Sequence, residues 1–556
     1  MRIFLFTVLL CLQLALAAAA NVPLMPVRDI QPGMQGIGKT VISGDTIEEF
    51  NVEILGVSGT QATGYNIFAR LYGDLIDKTG GVAQGMSGSP VYVDGRLVGA
   101  VAFGKTFNDP HYCFLTPIGR MLPLLDEQRS VPADWLPKGT ALMAGGFTEY
   151  GLEYLQEKIA PFGLTAVGAG GTAQESKKVL EPGSSVGAAL MQGDMSLGAL
   201  GTVTWTDDKG NVLAFGHAFM QRGESSFFMT KAWVLGVIPN LQSGYKVGNI
   251  GEPVGSITQD RSTGIGGSLG ALPKTIPLFV TANDSDRGLT SNVRVRLVED
   301  EQLVPSIVDA VVVNTVSKTV DRAGGGTAKL RFHITGVDSK KNIIEIQREN
   351  MFYANEALLK NLNQELSEAM TILMQNKFEP VQLYGIDVEA EVSSQVQVAE
   401  VFGVRAPAAA VKPGAKVPIT VTLKPYRGEE FTETVYFTVP KDHPGGNLAL
   451  NVRGGSSMAW VMNLLRKQQS EGVPAAQKQE KRRKLEDFIK SVNTADKNNE
   501  LIIDLASGQL SLKPEQAAAA SEAGLAGMLQ GSPFKQKYPF DFIIDGESEI
   551  VLNVEK

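Results

Sequence analysis

The stretch GGVAQGMSGSPVYVDGRLVGAVAFG, residues 80–104, constrains the fold more than any other segment of the chain. A glycine-dense turn carrying two serines runs directly into two apolar runs separated by Asp94-Gly95, the strongest short-range signal for a β-hairpin. Glycine reaches backbone angles closed to other residues. Such a turn feeding a hairpin therefore commits the region to β structure. The serines have two readings. Gly and Ser suit tight turns on structural grounds alone. A serine on a strained turn between free backbone N–H groups is also how a hydrolase presents a nucleophile.

The same character spreads along the chain. The 556 residues exceed one core and imply several domains. Sixty glycines and many Val/Thr runs lean the chain toward β structure. TVISGDTIEEFNVEILGV alternates around a Ser-Gly-Asp turn, and LTPIGRMLPLLDE reads as a closing helix. Strands dominate again from about residue 168 to 346. Residues 355–376 carry apolar positions at helical spacing without Gly or Pro. Residues 408–440 alternate with period two between Pro-Gly and Arg-Gly turns, like one sheet of a small sandwich. Two helical stretches follow, and the tail returns to strands. The basic cluster near residues 478–484 is interleaved with Glu480, Glu486 and Asp487, which reads as a solvated helix face.

Charge and targeting narrow the function. A net charge of −8 on this length argues against a nucleic-acid binder, which needs a basic face to displace counterions. MRIFLFTVLLCLQLALAAAA has one Arg, a short apolar stretch and small residues, the pattern of a secretory signal peptide. The stretch is shorter than the ~20 residues of a spanning helix. The expectation is an exported, periplasmic or secreted protein with no transmembrane segment in its mature chain. Cys11 falls in the removed segment, so Cys113 is left without an internal disulfide partner.

Within residues 85–90, Ser87 is the better nucleophile. It is the serine of a G-x-S-G pattern, whereas Ser89 precedes Pro90, which pushes it toward extended structure. A chymotrypsin-like turn would make the N–H groups of Gly85 and Ser87 the oxyanion donors. Removing one such donor costs ~2.7–4 kcal/mol in the barrier. Serine needs an adjacent base, and the chain holds four histidines. His217 ends the apolar run NVLAFGH, His111 lies in a loop near the hairpin, His333 sits inside an alternating strand, and His443 reads as a turn. His111 with Cys113 supplies two ligand types, which do not make a metal site. No metal or cofactor is expected.

At these residues the chain resembles the SpoIVB-type serine peptidases. The resemblance rests on IEEFNVEI (47–54), KTGGVAQGMSGSPVYVDGRLVGAVAF (78–103), NDP (108–110), LGTVTW and LAFGHAF within 200–219, and GSITQDRSTGIGG (255–267). It implies a chymotrypsin-like double β-barrel, Ser87 as nucleophile and His217 as general base. The serine block here precedes the histidine block, the reverse of the order the family implies, and triads tolerate any chain order. Tyr72 stands where the family's acid is implied. Asp74, two residues on and on the same face of a strand, is taken as the acid. No clear PDZ segment is present.

The expected class is therefore mainly β with α. Residues 1–20 form a signal peptide, 21–128 the serine half of the peptidase-like barrel region, 129–167 a linker and 168–346 the histidine half. A helical segment (347–380), a β-sandwich-like domain (381–455) and a helical then β C-terminal region (456–556) follow. The expected function is an exported serine endopeptidase acting on protein or peptide, with self-processing near 130–165 implied by the resemblance. The alternative is a non-catalytic cell-envelope scaffold that keeps the fold.

Overall fold

In the computed structural model, the described residues are 22–103, 109–126, 140–169, 174–239, 244–455, 485–505 and 534–555. The expected signal peptide, residues 129–139 of the expected linker and the basic cluster lie outside them, while residues 140–167 of that linker fold as strand, helix (Glu149–Ile159) and strand. Among the described residues, no helix is long and apolar enough to cross a membrane.

Strand alternation builds the first barrel. Its strands are β1 (Gln35–Thr40), β2 (Glu48–Thr60), β3 (Gly64–Tyr72), β4 (Pro90–Val93), β5 (Arg96–Phe103) and β6 (Tyr112–Pro117). They pair in the order β1-β2-β3-β6-β5-β4 and close through β4 on β1, with Gly38 opposite Val91. On β2, Phe50, Val52 and Ile54 point inward while Asn51 is exposed, the period of two that a one-sided core requires. On β3, Ile67, Ala69 and Leu71 meet them. Asp94 and Gly95 both take positive φ, 51° and 72°, as a two-residue hairpin turn demands.

Two parallel strands, β7 (Thr140–Gly145) and β8 (Leu164–Gly168), precede a second closed ring. The ring comprises β9 (Ser185–Gly193), β10 (Ser196–Thr206), β11 (Asn211–Ala214), β12 (Gly223–Ile238), β13 (Tyr245–Arg261) and β14 (Gly264–Leu269). The order is β9-β12-β13-β14-β11-β10, and β10 pairs back on β9 from Leu197 opposite Met191 to Thr202 opposite Ser185. Two six-stranded barrels thus stand where a double barrel was expected. Both belong to one compact unit, Met1–Leu278 with Val293–Ala310.

The chain continues with β15 (Thr275–Asp284), β16 (Leu289–Val298) and a helix, Val304–Val320, inside the region 168–346 where strands were expected to dominate. The helix is buried along nearly all its length. β-Branched residues cost a helix only ~0.5 kcal/mol each, which full burial overrides.

The second unit comprises Phe279–Asn292 and Val311–Lys556. It holds a sheet in the order β18-β17-β19, from β17 (Gly326–Val337), β18 (Ile343–Ala354) and β19 (Gln382–Ser393). The helix expected over 355–376 is two, Leu358–Leu362 and Gln364–Gln375, separated at the buried Asn363. Then come β20 (Val398–Arg405), β21 (Lys416–Pro425), β22 (Phe431–Thr438), β23 (Gly446–Gly454), β24 (Glu500–Leu505), β25 (Gln536–Pro539), β26 (Ile543–Asp545) and β27 (Glu547–Val554). They form two four-stranded sheets, β22-β21-β20-β26 and β25-β24-β23-β27, around one core. The tail strands pair into both sheets, whereas β19, inside the segment 381–455 expected to form a sandwich-like domain, pairs with β17 instead.

Candidate active site

The serine turn, residues 84–88, leads from the helix Asp74–Thr79 into β4 and is held by its carbonyls. Gln84 O accepts from Lys246 N at 2.9 Å. Met86 O accepts from Ser89 N at 2.9 Å and from Ser89 Oγ at 2.6 Å. From β10, Thr202 Oγ1 donates to Gly85 O at 2.9 Å, Thr202 N to Ser87 O at 2.8 Å, and Thr204 Oγ1 to Gly88 O at 2.7 Å. A trans peptide holds its N–H opposite its carbonyl. Fixing Gln84 O and Met86 O therefore turns the N–H groups of Gly85 and Ser87 away from those partners. Neither N–H has an acceptor among the described residues.

Ser87 is half-buried, and its Oγ donates to Ala102 O at 3.2 Å. Ser89 is fully buried with its hydroxyl spent on Met86 O, so it serves the turn. Gly88 has φ +95°, and a Cβ there would lie 1.9 Å from Thr202 O and 2.5 Å from Phe215 N. Only glycine lets the serine turn and the histidine block approach this closely.

That block docks on β5. Phe215 and Gly216 take left-handed φ of 69° and 67°. Thr116 Oγ1 donates to Gly216 O at 2.6 Å, and a Cβ on Gly216 would meet Val101 O at 2.8 Å and Ala102 Cα at 3.5 Å. The serine turn uses the same two residues, through Gly88 N to Val101 O at 2.7 Å and Ser87 Oγ to Ala102 O. The two blocks thus converge on 101–102 of β5, although Ser87 and His217 do not hydrogen bond to each other.

His217 Nδ1 lies 2.7 Å from Ala218 O. A carbonyl can only accept, so Nδ1 carries the proton and Nε2 holds the lone pair. Burial pushes the imidazole below its ordinary pKa. Beyond it, the fully buried Asp260 accepts from Phe219 N at 2.7 Å, Met220 N at 2.8 Å and Arg222 N at 3.1 Å, which fixes the loop. Burial raises the Asp260 carboxyl despite those donors.

Lys246 of β13 lies beneath the turn with its side chain 1% exposed. Its Nζ is 3.0 Å from Thr40 Oγ1 and 3.3 Å from Thr202 Oγ1. Burial, with no carboxylate paired to it among the described residues, pulls the ammonium down to about 7.

The structure does not bring Asp74 to His217. Asp74 opens the helix Asp74–Thr79 and is exposed, while His217 Nδ1 takes Ala218 O. The shift of two residues assumed a strand at this point, but β3 ends at Tyr72 and the chain turns into that helix. His111 Nδ1 pairs with Asp109 at 2.7 Å, and Cys113 is buried in the first barrel with its thiol pushed up to about 12. His333 pairs with Glu345 at 2.9 Å. His443 Nδ1 accepts from Gly445 N at 3.2 Å.

Sequence reasoning missed Lys246 and Asp260. A lone lysine in the uncharged run GYKVGNI and an Asp beside a glycine-rich hairpin were the available signals. Residues 14–122 match the family model described as SpoIVB peptidase S55. No curated protein and no solved structure matches the chain.

Proposed function

We propose, from the SpoIVB peptidase S55 match over residues 14–122, that the chain is an exported serine endopeptidase acting on protein or peptide. Ser87 Oγ attacks the substrate carbonyl carbon and its proton passes to His217 Nε2. The oxyanion takes the N–H groups of Gly85 and Ser87. His217 returns the proton to the leaving amine, and water then hydrolyses the acyl ester with His217 as base. Ala218 O holds Nδ1–H, the task a triad gives to its acid. Export rests on residues 1–20, and self-processing near residues 130–165 extends the same chemistry.

One observation carries this reading. Two acceptor-free N–H groups flank a half-exposed serine, and the loop of a neutral histidine packs on the same two residues of β5. The scaffold reading is favoured by the bond of Ser87 Oγ to Ala102 O in place of a bond to His217.

A fluorophosphonate probe separates them. Wild-type protein is expected to label at Ser87, Ser87→Ala to stay unlabelled, and His217→Ala to label at least ~100-fold more slowly. The labelling rate falls on acidification with a midpoint below ~6.5, the ordinary histidine value, because burial disfavours the imidazolium. Asp74→Asn labels at nearly the wild-type rate if Ala218 O suffices, and a large loss would restore Asp74 to the catalytic set. Folded protein that never labels establishes the scaffold.

A further inference from the structure

Among the described residues, Lys246 is the one buried amine against the serine turn, and its contacts give it a defined task. Three elements meet at its Nζ: Thr40 of β1, Thr202 of β10 and the stem of Lys246 itself on β13. The same Thr202 hydroxyl that Nζ approaches at 3.3 Å donates its own hydrogen to Gly85 O at 2.9 Å. The Thr202 hydroxyl has one hydrogen and spends it on Gly85 O, so Lys246 Nζ is the donor toward Thr202 Oγ1. Its hydrogen bond to Thr202 Oγ1 therefore occupies the oxygen's lone pair and directs the hydroxyl hydrogen toward Gly85. The Lys246 backbone N–H fixes Gln84 O at 2.9 Å, the carbonyl of the peptide whose N–H belongs to Gly85. One residue thus holds the Gln84–Gly85 peptide directly and the Gly85–Met86 peptide through Thr202. The aliphatic stem fills the space where a Cβ of Gly85 would sit, 2.9 Å from Cδ.

We propose that Lys246 is a positioning residue that locks the oxyanion turn through Thr202, a role that rests on the serine-peptidase reading above. Burying an amine without a carboxylate is a cost that packing alone does not explain, since an apolar residue of the same length would fill the space more favourably. The hydrogen bond to Thr202, and through it the fixed Gly85 carbonyl, is what the amine adds. Among the described residues, the side-chain groups within hydrogen-bond distance of Nζ are the hydroxyls of Thr40 and Thr202.

The test is fluorophosphonate inactivation kinetics on the full chain, separating the binding constant from the maximal rate. Lys246→Met keeps the stem and removes the amine. Thr202→Val keeps the shape and removes the hydroxyl, and Thr202→Ser restores the hydroxyl. Lys246→Met and Thr202→Val are each expected to lower the maximal inactivation rate about 10- to 100-fold with the binding constant unchanged. Thr202→Ser returns most of the rate, and the double variant Lys246→Met/Thr202→Val is no slower than the worse single one, because both cut the same chain of bonds. Lys246→Met that melts at or above the wild-type temperature yet reacts at the wild-type rate overturns the proposal. So does a double variant whose losses multiply. Wild-type protein that never labels removes the peptidase reading itself, a distinct result. A Lys246→Met chain that fails to fold leaves the decision to the two Thr202 variants.

Discussion

Ser87 and Ser89 stand two residues apart and do different work, and the reason is local. Pro90 commits Ser89 to the strand entry, where its hydroxyl closes on Met86 O. Ser87 keeps a half-exposed hydroxyl. That distinction was readable from G-x-S-G and the proline alone. Lys246 and Asp260 were not, because each acts on residues more than a hundred or about forty positions away. Lys246 also leaves a signature in stability. Its folded pKa is about 7, against an ordinary value of about 10.5 in the unfolded chain. Between those values the unfolded chain binds more protons, so stability rises with pH across that window. Urea unfolding of the wild-type barrel unit should therefore shift to higher midpoints from pH 7 toward 10. Lys246→Met should lack that rise and exceed the wild type in midpoint at pH 7. Equal slopes in both proteins would mean that the amine is not desolvated.

At the level of elements, the strands and the hairpin were legible because alternation and Asp94-Gly95 are local signals. The closure of each barrel was expected only through a resemblance, since pairings such as β4 on β1 and β12 on β9, Phe228 opposite Ala189, join strands distant in sequence. The helix Val304–Val320 was illegible for the opposite reason. Its valines carry β propensity, and burial on every side decided the outcome. The junction of the serine turn with β10 turns this into a prediction. A methyl group on Gly88 has no room, because its nearest neighbours are backbone atoms of Thr202 and Phe215, and φ +95° adds strain. Gly88→Ala is expected to lower stability by about 2–4 kcal/mol and to abolish Ser87 labelling. Thermal unfolding and the fluorophosphonate assay check both. Normal labelling would place the two blocks farther apart.

Across the whole molecule, the hardest feature to read was where the second unit gets its core. The segment 408–440 alternates clearly, yet it supplies too few strands for two sheets. The missing ones come from the tail. β26 pairs in parallel with β20, Val398 opposite Ile543, and β27 pairs antiparallel with β23 from Gly446 opposite Val554. Such distant partners carry no local mark, and a parallel pair has no hairpin to announce it. The core shows the dependence. Ile419, Val421, Leu423 and Phe437 pack in one cluster with Ile544, Leu552 and Val554. A chain ending at residue 542 loses those three buried side chains together. Each large apolar truncation costs about 2–5 kcal/mol, and a domain holds only about 5–15 in reserve. The truncated sandwich should therefore lose its cooperative transition and become sensitive to limited proteolysis. Leu552→Ala should keep the transition with stability lower by about 2–5 kcal/mol. A truncated chain with the full-length transition would show that β20–β23 close their own core, which two sheets each short of a strand could not do without repacking.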